Sequence, residues 1–257
     1  MRRVNRQRLC PVCEKHDWCL VAEDGSAAIC ARVSDGSTKR VGDAGWLHQL
    51  RPGAIPRPPR RVEAAARPAV DCEKLMQQYR ERISRRQVAM LARALGVSAA
   101  SLDRLSVGWD GEAFAFPMRD ADGQVIGIRR RFSSGKKVCV PGSRNGLFIP
   151  EGLTGKGVLV ICEGPTDCAA ALDLGFEAIG RPNCNSKVRM TVRYAGGREA
   201  IVVADNDVVG IAGARILADA LTARGSRVRV VVPPAGVKDL RDWARQGLTA
   251  GGLINAQ

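Results

Sequence analysis

Two apolar runs that end in carboxylates constrain this chain more than any other feature. Val158-Leu159-Val160-Ile161 is apolar at successive positions, then meets Glu163, Gly164, Pro165 and Asp167. Ile201-Val202-Val203-Ala204 repeats the pattern and meets Asp205-Asn206-Asp207. A strand that is apolar on both faces belongs inside a parallel sheet covered by helices on either side. The intervening segments are helical in character: an alanine-rich stretch opened by Asp167 and stopped by Gly175, and the long "VGIAGARILADALTARG". A further strand, Val228 to Val232, runs into "PPAGVKDLRDW" with Asp239 and Asp242. In an open α/β sheet the carboxyl ends of the strands meet at one edge, where ligands bind. Glu163, Asp205, Asp207 and Asp239 are therefore expected to converge although they are distant in sequence.

Clustered carboxylates raise one another's pKa unless a cation neutralises them. Hard oxygen donors at a sheet edge suit Mg²⁺, which keeps waters and a bound phosphate. The expected magnesium ligands are Glu163, Asp205 and Asp207, with Asp239 and Asp167 beside them. Asp167 admits a second reading as a helix cap, as does Asp205 or Asp207 for the helix that follows.

The cysteines make a separate site. Cys10-Pro11-Val12-Cys13 has the spacing of a metal knuckle, and "WCLVAEDGSAAIC" predicts a β-hairpin turning at Asp24-Gly25. A turn there sets Cys19 opposite Cys30, with Cβ atoms about 4.5–5.5 Å apart. Two thiolates from the knuckle and two from the hairpin make a tetrahedral, all-cysteine zinc site of Cys10, Cys13, Cys19 and Cys30. A Cys19–Cys30 disulfide leaves Cys10 and Cys13 unexplained, and His16 is the substitute ligand if Cys19 is not used. His48 reads as an ordinary surface histidine. Trp18 and Trp46 are either a base-stacking surface or packing for the small metal core.

The 257 residues carry a formal net charge of +14. Residues 1–61 hold 12 Lys/Arg against 6 Asp/Glu and residues 62–150 hold 15 against 9, whereas residues 151–257 hold 13 against 11. A basic front with a nearly neutral, acid-edged remainder suits a polyanionic partner, nucleic acid above all. Nothing reaches membrane-spanning apolar length, and "MRRVNRQRLC" has no hydrophobic leader, so a soluble cytoplasmic protein with no membrane partner is expected.

The organisation expected is multi-domain α/β. A β zinc ribbon occupies 1–50, and a Pro/Arg linker, extended because it cannot build a core, occupies 51–70. A mixed α+β basic subdomain fills 71–152, and a Rossmann-like parallel-sheet domain fills 153–257. In the basic subdomain Ser84 and Gln87 have capping-box spacing ahead of a helix that Gly96 ends. Ser98 starts a short second helix with Leu102 and Leu105 inward. "FAFPMRDADGQVIGIRRRF" predicts two strands joined across Asp120–Gly123.

"VICEGPTDCAAAL" and "VVADNDVVG" together resemble the Toprim domain of primases, topoisomerases and some nucleases, whose pattern is a strand-end Glu-Gly followed by a DxD. Glu163-Gly164 and Asp205 with Asp207 match it. The order of parts, a zinc ribbon, a linker, a basic strand region and then Toprim, is similar to bacterial and phage DNA primases of the DnaG type. "FPMRDADGQVIGIRRRF" and "KKVCVPGSRNGLF" are similar to the segments that precede Toprim in that family. By that match Arg131 and Lys137 fall at basic catalytic-core positions. Arg129, Arg130, Lys136 and Arg144 lie alongside as nucleotide or nucleic-acid contacts. The family's last acidic pair is matched loosely in "KDLRDW", by Asp239 more closely than by Asp242.

The resemblance implies RNA primer synthesis on single-stranded DNA from nucleoside triphosphates. Structural Zn²⁺ and catalytic Mg²⁺ are implied, with Mn²⁺ an alternative. A replicative helicase would come from another protein. The rivals are a non-catalytic zinc/Toprim DNA-binding protein similar to RecR-type mediators, and a Toprim nuclease. A topoisomerase needs a nucleophilic tyrosine, and only Tyr79 and Tyr194 exist.

Overall fold

The computed structural model describes residues 1–50 and 70–256. The expected linker, 51–70, falls outside the described residues except for Val70. The chain divides into two compact units, Met1–Ala64 and Ala65–Gln257.

The first unit is a five-stranded antiparallel sheet of β1 (Arg2–Arg3), β2 (Leu20–Val21), β3 (Ala27–Cys30), β4 (Lys39–Arg40) and β5 (Trp46–Gln49), in the order β1-β2-β3-β5-β4. The pairs Leu20↔Ile29 and Val21↔Ala28 centre the β2–β3 hairpin on Asp24-Gly25. Ala22 N–H still donates to Ala27 C=O at 2.8 Å, so the loop spans 23–26 rather than two residues. Its small core is Val4, Val21, Ala28 and the cysteines. His48 departs from the sequence reading. It is 6% exposed and its Nε2 lies 2.9 Å from the Val33 carbonyl oxygen, because its register partner Ala28 places it on the buried face.

The second unit opens with α1 (Cys72–Arg82), α2 (Arg85–Leu95) and α3 (Ala99–Arg104). The capping box forms as expected: the Ser84 side chain accepts from Gln87 N–H and the Gln87 side chain accepts from Ser84 N–H. Ser98 caps α3, and Leu102 and Leu105 are buried. Then come β6 (Gly108–Trp109), β7 (Phe114–Arg119), β8 (Val125–Arg131) and β9 (Lys137–Cys139), a four-stranded antiparallel sheet in chain order.

The remainder alternates β10 (Leu159–Glu163), α4 (Gly164–Asp173), β11 (Glu177–Arg181), α5 (Val188–Ala195), β12 (Ala200–Val203), α6 (Val208–Thr222), β13 (Val228–Val231), α7 (Leu240–Arg245) and α8 (Ala250–Asn255). Its four strands are parallel, in the order β11-β10-β12-β13. Both faces are dry. Val160, Cys162, Ile201 and Val203 pack with Cys168, Ala169 and Leu172 of α4, whereas Leu159, Ile161, Ala200 and Val202 pack with Ala214 and Leu217 of α6.

A short segment after β9 stitches the two sheets together. Arg119 and Leu147 exchange backbone hydrogen bonds of 2.7 Å, and the next residue, Phe148, exchanges bonds of 2.8 and 2.9 Å with Gly180 of β11. Phe148 is 1% exposed. This stitch holds the basic strands β8 and β9 beside the carboxyl edge of the parallel sheet. Gly180 is there for space: a Cβ on it would lie 2.3 Å from the Gly164 carbonyl oxygen.

Candidate active-site cleft and cysteine cluster

At the carboxyl edge of the parallel sheet a cleft of about 470 Å³ opens between two walls of opposite charge. The acid wall is Glu163, Asp167, Asp205 and Asp239, and the basic wall is Arg129, Arg131 and Lys137. Phe116 and Phe148 line it as well, and Lys238 and Arg241 add two cations on the α7 side.

Backbone register explains each placement. Glu163 ends β10, and continuing the Ile161↔Val202 register by two residues puts it opposite Ala204, one residue before Asp205. Adjacent strands lie about 4.8 Å apart, so these two carboxylates leave neighbouring strand ends side by side. Gly164 takes φ +76 immediately after Glu163. That left-handed conformation suits glycine, and it turns the strand sharply into α4. Glu163 is the N-cap of α4 and makes no side-chain cap hydrogen bond. Asp167 therefore neither opens nor caps the helix. It lies within the first turn, 4% exposed, with its carboxylate in the cleft. Asp239 is the N-cap of α7 and accepts from Asp242 N–H at 2.8 Å.

Electrostatics at this edge are those of crowded carboxylates. Burial is the largest cause of the raised Asp205 pKa, and Glu163, Asp239 and Asp207 add to it, bringing it to about 6. Burial, with Asp239 and Asp205, pushes Asp167 well above the usual carboxylate range. Glu163 is raised by burial against the opposing pull of Arg181. On the other wall, burial lowers Arg131 with help from Arg241, and Lys137, although exposed, is lowered by partial desolvation in the cleft and by Arg131. On both walls burial, with like charges second, disfavours ionisation, the condition an ionic ligand relieves.

The remaining expected residues divide cleanly. Asp207 is the N-cap of α6, its Oδ1 accepting from Gly210 N–H at 2.6 Å, and it sits near enough to Glu163 and Asp205 to raise both. Asp242 lies in the first turn of α7 and does not line the cleft. Arg129 and Arg131 share one face of β8, and Arg131 pairs with Lys137 across the ladder. Arg130 points to the other face, as strand alternation requires. There it is engaged by Asp110 and by Glu112 at 3.0 Å. Lys136, exposed beside the Phe132 ring, and Arg144 also lie off the cleft.

Sequence reasoning missed Lys238, Arg241 and Arg181. Arg181 ends β11, is 3% exposed, and donates to the Ser186 carbonyl at 3.0 and 3.3 Å and to the Cys184 carbonyl. It pairs in register with Glu163, but β11 is too short a strand for the sequence to have shown this.

In the first unit, Cys10, Cys13, Cys19 and Cys30 bring their sulfurs within 4.8 Å of one another. Zinc–sulfur bonds of about 2.3 Å at tetrahedral angles separate sulfurs by about 3.8 Å. The Cys13–Cys19 and Cys19–Cys30 sulfurs are 3.7 and 4.0 Å apart. The four thiols thus fit a structural zinc. Ala31 N–H and Val33 N–H point at Cys19 and Cys30 sulfurs at 3.4 and 3.3 Å, as sulfurs carrying negative charge need. His16 is not in the cluster. Among the described residues this is the one set of three or more metal-type side chains so tightly gathered, and the cleft carboxylates are spaced more widely. Trp18 is 70% exposed, whereas Trp46 is half-buried under the Arg40 guanidinium, 5.8 Å from its ring centre.

Fold and site together define a class: a four-cysteine antiparallel module joined in sequence to an antiparallel basic sheet and a Toprim-like parallel sheet. No family model and no curated protein matches the sequence. Solved structures do match. The primase fragment of the bacteriophage T7 primase-helicase protein aligns over 99% of this chain and 97% of its own, with TM-score 0.54 and 16% identity. A DnaG primase catalytic domain bound to ssDNA aligns over 72% and 80%, with TM-score 0.56 and 17% identity. The RNA polymerase domain of Mycobacterium tuberculosis primase DnaG aligns over 72% and 81%, with TM-score 0.55 and 19% identity. The chain has the fold of the DnaG and T7 primase catalytic cores. Among the described residues no helix is long and apolar enough to cross a membrane.

Proposed function

We propose that the chain is a DNA primase, joining ribonucleotides into short primers on single-stranded DNA by Mg²⁺-dependent nucleotidyl transfer. The observation that carries this reading is the cleft itself. An acid edge of Glu163, Asp167, Asp205 and Asp239 faces Arg129, Arg131 and Lys137, in a fold shared with primase catalytic cores.

The donor set fits magnesium: all are carboxylate oxygens, Glu163 and Asp205 half-buried and Asp207 exposed, and burial together with neighbouring carboxylates raises Asp205 and Asp167. Glu163, Asp205 and Asp207 are the expected ligands, with Asp239 and Asp167 beside them. Bound there, Mg²⁺ would offset charge on the triphosphate and on departing pyrophosphate. The rest falls to the chain's own side chains. Arg131 and Lys137 grip triphosphate oxygens through charge-assisted hydrogen bonds. Arg129 extends the same face toward template phosphate. Phe116 and Phe148 exclude water from the floor. Asp167, raised well above the usual carboxylate range by burial with Asp239 and Asp205, would ionise more readily beside a bound cation. The cysteine module holds a structural zinc and contacts template. Its phosphate contacts make affinity fall with salt without selecting sequence.

The test is incubation with single-stranded DNA, labelled ribonucleotides and Mg²⁺, with Asp205→Asn alongside. Labelled oligoribonucleotides from wild type, lost in Asp205→Asn, are expected. DNA binding with no product points to a mediator, and shortened DNA to a nuclease. Either outcome overturns the proposal.

A further inference from the structure

Arg241 stands where a solvated helix surface would be expected, yet it belongs to the cleft. It occupies the first turn of α7, two residues after Asp239, on the side of the cleft that also carries Lys238. Its side chain is 20% exposed, and its one ion-pair contact is a distant 3.7 Å from Nη2 to Asp239 Oδ2. Its Nε is buried and has no hydrogen-bond partner. A buried guanidinium N–H left unmatched is costly, so it marks either strain or a missing acceptor. Across the cleft the Arg129 Nε is in the same condition. Two of the arginines that line one cleft thus each leave a buried donor unmatched.

The surrounding charges agree. Arg131, Lys137 and Lys238 line the cleft and form no ion pair within 4.0 Å among the described residues. Arg241 opposes protonation of both Arg131 and Lys137, so it lies within electrostatic reach of the basic wall while touching the acidic one. Arg131, Lys137 and Lys238 keep their charges free for an anion even with the four carboxylates in the cleft, and a chain of phosphates can engage several of them at once.

We infer that Arg241 is a polyphosphate-binding residue, its guanidinium completing from the α7 side the grip that Arg131 and Lys137 make from the strands. The grip it completes is the one assigned above to the nucleotide triphosphate. The Arg241 fork donates to phosphate oxygens while Asp239, its other neighbour, keeps it oriented.

Inorganic tripolyphosphate is the probe, titrated calorimetrically into the full chain without divalent cations beyond its zinc. Arg241→Ala is expected to bind about tenfold to a hundredfold more weakly, as loss of one charge-assisted bidentate contact implies. Arg241→Lys should fall between, since the charge stays and the fork goes. Arg224→Ala, in the exposed turn after α6, removes the same net charge and should bind as wild type does. Thermal unfolding checks that each variant is folded, and Arg241→Lys serves if the alanine variant is not. Equal weakening by Arg224→Ala and Arg241→Ala overturns the inference, as does unchanged affinity in Arg241→Ala or no binding by wild type. Polyphosphate binding that depends on Arg241 in a protein that makes no primers would leave this inference standing and sink the primase reading.

Discussion

Replacing Asp205 by Asn should make the protein more stable at neutral pH while stopping the proposed primer synthesis. Asp205 keeps its proton up to about pH 6 rather than the ordinary 3.8, chiefly because burial and the charges of Glu163, Asp239 and Asp207 disfavour ionisation. A carboxyl whose pKa is higher folded than unfolded contributes stability below the unfolded value, and that stability is lost as pH rises through the folded value. Taken in full, this separation corresponds to about 3 kcal/mol. Asp205 is only partly buried, and solvent screening reduces the figure to about 1–2 kcal/mol. Asparagine keeps the shape and removes the ionisation. In magnesium-free buffer at pH 7.5, Asp205→Asn should unfold about 2–8 °C above wild type. At pH 4.5 the gain should shrink to roughly a third, because most of the linkage lies between the two pKa values. Adding Mg²⁺ should raise the wild-type Tm and close the gap. Melting curves at two pH values, with and without Mg²⁺, are sufficient. An Asp205→Asn protein less stable than wild type at pH 7.5, or a gain that grows toward acid, would refute the crowded-carboxylate account.

Other expectations follow from single contacts. Cys19→Ser should abolish bound zinc, read by atomic absorption, and His16→Ala should leave one zinc in place, because His16 is outside the sulfur cluster. Gly180→Ala forces a Cβ to 2.3 Å from the Gly164 carbonyl oxygen, and should cost about 1–3 kcal/mol in urea unfolding. Because Gly164 follows Glu163, that variant should also weaken Mg²⁺ binding. Arg130→Ala strands the Asp110 side chain, 4% exposed, without its guanidinium. It should destabilise by about 1–3 kcal/mol while leaving single-stranded DNA affinity near wild type, in contrast to Arg129→Ala.

How far the sequence could be read depended on whether a feature was local. The strands β10 and β12 announce themselves because a strand buried on both faces has an unbroken apolar run. The Cys19–Cys30 pairing followed from one turn, and the register carried it over a loop longer than two residues. The capping box at Ser84 was legible for the same reason. Strand β11 was harder: "EAIGR" is short, and its burial comes from β10 on one edge and the Phe148 stitch on the other. Isolated bridges such as Arg119↔Leu147 leave no pattern in sequence at all. Within the site, "RRR" named three candidates, although period-two alternation already separates Arg130 from Arg129 and Arg131. Arg241 was masked by its neighbours, since an arginine between two aspartates in a short helix reads as surface. Only the packing of α7 against α4 turns it into the cleft.

The central claim is that the sheet edge bearing Glu163 and Asp205 traps a divalent cation facing the basic wall. Crystals soaked in Mn²⁺ and measured at the manganese absorption edge test it most directly. The account predicts an anomalous peak in the cleft, within bonding distance of Glu163 and Asp205 oxygens. Crystals that take up manganese only elsewhere, with those two carboxylates turned apart, would contradict it.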